Sequence, residues 1–325
     1  VDTVRYYDGG DWPRWADGLG SSMELIDPYQ DNRFGAAWDA SDDSDKAETE
    51  HFSYVGRQGG AGTGFTAPIG VAVGKDDMLY VASRNNPRIT KTTMGEEFIS
   101  EFGRGTPESP NAPFPSRNMW ITAIVLDKDE NVYTTDEWHN SVIIYNKDGD
   151  LLKNWGDQGD GEGQLNGPSG MAFDADDNLW IVNGKNSRIQ KFTKDGDYLG
   201  GFGQKGNGEG ELDLPWGITI DNAGDIYIAD WNNHRVQKFN TDGTHLLTFG
   251  SGKKTGISPD GGTPYIHAYD SHIAVNPKDL NHPTGVAVDA DGDVYVVDWM
   301  NERMVIFSSD GGAVATLRGD ATGLS

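Results

Sequence analysis

"PWGITIDNAGDIYIADWNNHRVQKFNTDGTHLLTFG", Pro215–Gly250, holds a whole structural unit in one line. An apolar run, "GITI", meets the turn "DNAGD". A second run, "IYIAD", meets the polar loop "WNNHR". A third, "VQKF", passes through "NTDG" to a fourth, "HLLTF". Short apolar runs separated by Asp, Asn and Gly read as antiparallel strands joined by tight turns, because those residues accept the positive φ that hairpins require. Its first segment returns along the chain as "PIGVAV" at Pro68, "ITAIVL" at Ile121, "PSGMAF" at Pro168 and "PTGVAV" at Pro283. The spacing is roughly 50 residues, with one longer step before Pro283, and such a period signals a repeat architecture.

A four-stranded sheet has two faces and cannot bury both alone. Stacking copies around an axis does so, which makes an all-β propeller of four-stranded antiparallel blades the expected fold. A β-sandwich is the alternative, but the repetition extends through the turns as well as the strands. The units read as about 65–113, 114–164, 165–211, 212–279 and 280–325.

The quoted stretch and "PTGVAVDADGDVYVVDWMNERMVIF" resemble NHL repeats, in the order P-x-G, turn, D-x-x-N-x-R and F-G. The resemblance covers Phe65 to about Arg318 and implies six blades. The second unit departs most: "ITA" replaces P-x-G, and Ser141 stands where other units have Arg. Five units are visible, so "HFSYVG", residues 51–56, is expected to donate a closing strand to an incomplete last blade, on a chain cut inside that blade. Alternatives are that residues 1–50 complete the ring, or that five blades suffice. Residues 1–50 differ in texture. "DTVRYYDGGDWPRWADGLGSSMELIDP" resembles part of a lamin-tail-like domain, and "DASDDSDKAETE" is an acidic linker.

Composition narrows the function. The 325 residues hold 26 Lys and Arg against 51 Asp and Glu, a net charge of -25. That field repels phosphate backbones and argues against nucleic acid. It suits an extracellular, cell-surface or periplasmic setting. No Cys is present, which excludes disulfides and thiolate metal sites. No apolar run is long enough for a membrane span. A monomeric propeller without cofactor or metal is expected.

In each unit the start of the inner strand and the loop between strands two and three lie at one end of the channel. The strand starts bring Ile69, Thr122, Ser169, Trp216 and Thr284 there, and the loops bring Arg84, Glu137, Trp138, Lys185, Trp231 and Trp299. The expected ligand site consists of Arg84, Trp138, Lys185, Trp216, Trp231 and Trp299, with Arg84 pairing an anionic group. Each Trp alone could equally cover a neighbouring blade.

Other chemistry is weaker. "DADGD", Asp289–Asp293, suggests calcium but lacks the Glu that completes an EF-hand loop, so a hairpin turn is the better reading. His267, His272 and His282 share the long connector at irregular spacing and read as surface residues rather than zinc ligands. Amidating lyases of peptidyl-hydroxyglycine share this propeller and repeat, and in them His at the strand starts hold zinc. Here Ile69, Ser169, Trp216 and Thr284 stand at those positions, although Arg84 in "ASRNN" is similar to an active-site loop of that family. The expected function is therefore recognition of a protein segment or glycan, without catalytic residues. A lyase or lactonase-like hydrolase is the alternative.

Overall fold

The computed structural model describes residues 23–25, 38–40, 67–75, 77–84, 87–95, 97–103, 120–251, 278–301 and 303–318. The chain divides into two units, Val1–Arg57 and Gln58–Ser325. In the first, Met23–Leu25 (β1) pairs antiparallel with Trp38–Ala40 (β2). The expected closing strand at residues 51–56 lies outside the described residues.

The second unit contains five four-stranded antiparallel sheets among the described residues, each built from consecutive strands. Blade 1 runs Pro68–Val73 (β3), Met78–Ser83 (β4), Arg88–Thr93 (β5) and Phe98–Phe102 (β6). Blade 2 runs Ile121–Leu126 (β7), Val132–Asp136 (β8), Ser141–Tyr145 (β9) and Leu151–Trp155 (β10). Blade 3 is Pro168–Phe173 (β11), Leu179–Asn183 (β12), Arg188–Phe192 (β13) and Tyr198–Phe202 (β14). Blade 4 is Ile218–Ile220 (β15), Ile226–Asp230 (β16), Arg235–Phe239 (β17) and His245–Phe249 (β18). Blade 5 is Pro283–Val288 (β19), Val294–Asp298 (β20), Arg303–Phe307 (β21) and Ala313–Arg318 (β22).

The architecture is a β-propeller, but with five blades rather than the six expected. Each of these five units supplies its own outer strand: in blade 5, β22 follows β21 through the hairpin "SSDGG" and pairs with it directly, Met304 opposite Leu317. The incomplete blade expected after Arg318 falls outside the described residues.

Four apolar clusters sit between successive blades, and the alternation of side chains explains them. Tyr80 and Ile89 meet Ile121 and Ile143 between blades 1 and 2. Tyr133 and Val142 meet Leu179 and Phe192 between blades 2 and 3. Trp180 and Ile189 meet Ile226 and Phe239 next, and Tyr227 and Phe249 meet Val296 and Phe307 last. The Gly of P-x-G lets inner strands approach closely. A Cβ on Gly170 would stand 2.6 Å from the Trp216 carbonyl oxygen, and one on Gly217 would stand 2.4 Å from that of Thr284.

Buried polar groups pin the connectors. Asp230 is fully buried. Its Oδ2 accepts from Arg235 Nε at 2.9 Å, Asn233 Nδ2 at 2.9 Å and Gln237 Nε2 at 3.0 Å, while Oδ1 accepts the Asp213 N–H at 2.8 Å. Arg235 Nη2 in turn donates to the carbonyls of Gly208 and Glu211. Asp298, Asn301 and Arg303 repeat the arrangement in blade 5. Blade 2 solves the same problem without Arg. His139 Nδ1 lies 3.1 Å from Asp136 Oδ2, which accounts for Ser141 at the Arg position. The "DADGD" string is a hairpin turn, as read: Asp289 Oδ1 accepts the N–H groups of Asp291 and Asp293.

Two outcomes follow. Removing one member of a buried ion pair strands the other, so Asp230→Ala should cost about 3–5 kcal/mol. A urea titration showing a loss below about 1 kcal/mol would contradict the clamp. The second concerns Asp127, whose carboxylate accepts the Asp129 and Asn131 N–H groups and the Asn131 amide. Burial opposes its charge, but the Asn131 bonds and Lys194 outweigh burial and hold its pKa below the ordinary value. A carboxylate depressed on folding contributes stability that is present above its unfolded pKa and lost as pH falls through its folded one. Asp127→Asn should therefore cost about 1–3 kcal/mol at neutral pH. The gap from wild type should close in acid; a gap that is independent of pH would refute the assignment.

Candidate functional site

In blades 1 to 3 the residue following the second strand is held at the channel end by one backbone bond. Arg84 N–H donates to the Ala67 carbonyl at 3.0 Å, Glu137 N–H to that of Trp120 at 3.0 Å, and Gly184 N–H to that of Gly167 at 3.1 Å. The equivalent positions in blades 4 and 5 are Trp231 and Trp299, each opening a short 3-10 turn. Around the channel the sequence is thus Arg, Glu, Gly, Trp, Trp. The charged pair falls on blades 1 and 2, and the aromatic pair on blades 4 and 5.

Arg84, Trp231 and Trp299 of this set border a cavity of about 470 Å³. Arg84, Trp216, Trp231 and Trp299 line it together with Ile69 and Thr284. Four of the six expected site residues are therefore brought together. Trp231 and Trp299 stack with ring centroids 6.4 Å apart, and Trp299 is 54% exposed. The His282 ring packs against Trp231 at 4.2 Å.

Arg84 has the most unusual surroundings. Its guanidinium lies 4.3 Å from the Trp120 ring and 5.9 Å from that of Trp216. Nη2 donates to Glu137 Oε2 at 3.2 Å. Nε is closed off from solvent and has no hydrogen-bond partner among the described residues. Burial pushes the Arg84 pKa down, and Glu137 pushes it back up. A buried donor left unpaired is costly, and such groups concentrate where a ligand completes the set.

The other two expected residues lie elsewhere. Trp138 is 68% exposed and does not line the cavity; its N–H caps Asp136 Oδ1. Lys185 stands one position past the blade 3 equivalent, Gly184, so it misses the cavity wall. Its aliphatic stem lies over Gly167, and Nζ reaches Glu137 Oε1 at 3.1 Å. Thr122 and Ser169, expected at the channel end, act as ties between blades. Thr122 Oγ1 donates to the Pro168 carbonyl and Ser169 Oγ to that of Pro215.

Sequence reasoning missed Trp120. Its signal lay in the position just before each inner strand, which reads Ala67, Trp120, Gly167, Leu214 and His282. Its two ring-bearing members, Trp120 and His282, touch site residues. Among the described residues no group of three or more His, Asp or Glu is arranged to hold a metal ion.

The family comparison matches the NHL repeat at residues 165–192, 212–239 and 280–307. These three segments are NHL repeats. They coincide with blades 3, 4 and 5, and no match falls on blades 1 and 2, which carry Arg84, Trp120 and Glu137. The lamin-tail-like reading of residues 1–50 gains no support. No curated protein matches the chain. Among solved structures, a streptogramin B lyase shares 14% identity, with 78% of this chain and 69% of that one covered and a TM-score of 0.53. A catalytically inactive virginiamycin B lyase variant from Staphylococcus aureus with quinupristin shares 13% identity, covering 81% and 73%, at 0.54. A chain of a nidogen/laminin complex shares 16% identity, covering 78% and 80%, at 0.56. At these identities the likeness is one of fold.

Arg84 and Arg235 should respond oppositely to removal. Arg84→Met deletes an unpaired buried donor and leaves Glu137 on Lys185, so stability should change by less than about 1 kcal/mol. Arg235→Met orphans Asp230 and should cost about 3 kcal/mol or more. Equal losses in thermal or urea unfolding would make Arg84 a structural residue.

Proposed function

We propose that this propeller is a recognition module whose cavity takes an extended protein segment with a carboxylate beside an apolar side chain. The observation that carries the reading is Arg84, set beside two indole rings at the edge of an otherwise apolar cavity, with Nε lacking a partner among the described residues. A carboxylate meets such a guanidinium in bidentate fashion, and indole faces on the far wall suit an apolar side chain. A glycan fits less well. Sugars need several converging hydrogen-bonding groups, whereas the lining offers Arg84, Thr122 and Thr284 as its polar side chains. The acidic composition supports an extracellular, cell-surface or periplasmic location, which labelling of intact source cells would check.

A lyase is the second reading, because a cavity of about 470 Å³ also accommodates a small molecule. Incubation with quinupristin, followed by chromatography, tests it; turnover above buffer would move the function to catalysis.

The recognition reading is tested on peptide and glycan arrays, with hits measured by titration calorimetry. Trp231→Ala and Trp299→Ala should keep the fold and weaken binding of an acidic peptide hit by about tenfold or more, as expected for aromatic anchors of an interface. Wild-type affinity in both variants, or hits confined to neutral glycans, would sink the reading.

A further inference from the structure

Glu137 occupies a position that a ligand carboxylate would want. Nε–H and one Nη2–H of a guanidinium point side by side and form a two-pronged fork for a carboxylate. On Arg84 that fork is half used: Glu137 Oε2 accepts from Nη2 at 3.2 Å, while Nε has no partner among the described residues. The other oxygen, Oε1, already lies 3.1 Å from Lys185 Nζ. The three side chains come from successive blades, so this order of Arg, Glu and Lys is set by the first three repeats.

Resting on the cavity as the binding site, we infer that Glu137 is a displaceable placeholder that selects for carboxylate ligands. In the free protein it neutralises a desolvated guanidinium that has little other polar company. An incoming carboxylate takes both prongs of the fork, and Glu137 passes entirely to Lys185. Lys185 thereby keeps the displaced charge paired, so the exchange costs little beyond one monodentate hydrogen bond. A neutral ligand cannot drive the exchange, because it leaves Arg84 without a counter-charge in a desolvated place. The arrangement discriminates by charge through residues that need not touch the ligand. Lys185 thus has a part in the site without lining the cavity.

The test uses 3-phenylpropionate and its neutral amide as probes, titrated calorimetrically into the full chain. Glu137→Gln should bind the carboxylate about tenfold more tightly than wild type, since the fork no longer holds a charged competitor. Its affinity for the amide should not change. Lys185→Met should weaken carboxylate binding several-fold in the wild-type background and leave it unchanged in the Glu137→Gln background. That dependence separates hand-over from bulk electrostatics, in which Lys185→Met would weaken binding equally in both backgrounds. Equal weakening, or no gain from Glu137→Gln while Arg84→Met still abolishes binding, would overturn the placeholder and leave the cavity intact. Binding of the probes that is indifferent to Arg84→Met and Trp231→Ala would overturn the cavity reading itself.

Discussion

The buried carboxylate that ends the second strand of blades 2, 4 and 5, Asp136, Asp230 and Asp298, is the constraint on which the propeller depends. Asp230 and Asp298 have no solvent exposure, so their charge must be met within the protein. They meet it with Arg235 or Arg303 on the adjoining strand, an Asn from the intervening turn and a backbone N–H from the incoming connector. One side chain therefore fixes three pieces of backbone. The Arg completes the clamp by donating to connector carbonyls, Gly208 and Glu211 in blade 4 and Asp279 in blade 5. The connector leads into the next inner strand, so the clamp also sets where that strand enters the channel.

Close approach between inner strands is the second requirement, and it couples to the first. The Gly170 N–H donates to the Trp216 carbonyl at 2.7 Å, a bond from one blade to the next across the channel wall. Such proximity needs glycine at the approach and a fixed connector behind it. Apolar packing fills in the remainder: Phe202 meets Phe239, and Phe249 meets Phe307. Fold and site are thus separated in the repeat. Letters that hold the blade together recur, whereas the position just beyond the second strand varies, as Arg84, Glu137, Gly184, Trp231 and Trp299.

That separation explains what was legible in the sequence. The strands, the turns and the meaning of D-x-x-N-x-R follow from short-range pattern, since every one of those contacts lies within a unit or at its border. The number of blades did not follow. Six came from resemblance, whereas the described residues form five four-stranded blades. Arg84, Trp216, Trp231 and Trp299 were legible because chain direction assigns them to one end of the channel. Trp138 and Lys185 were misplaced by a single residue of register, which the turn after the second strand converts into a different direction. Trp120 was invisible because nothing in its own unit repeats around it; its partner Arg84 lies in the preceding blade.

Two kinds of arginine coexist in this chain, and their difference is the strongest guide to function. Arg188, Arg235 and Arg303 spend their donors on connector carbonyls, and Arg235 and Arg303 also on a buried aspartate; they lie where the repeat dictates. Arg84 lies one residue past the second strand, where the repeat dictates nothing. It has one carboxylate and two indole faces, and its Nε, like that of Arg188, has no partner among the described residues; unlike Arg188, it donates to no connector carbonyl among them. A desolvated guanidinium under-supplied with acceptors does not serve the fold, since an apolar side chain of similar size would fill the space without that cost. In a protein with net charge -25, acceptors are abundant, so their scarcity around this one cation reflects the shape of its pocket. The Trp120 and Trp216 rings take up part of its surroundings, and Glu137 supplies its one carboxylate. These neighbours leave access to a group delivered from the channel, and that geometry favours a ligand bringing its own negative charge.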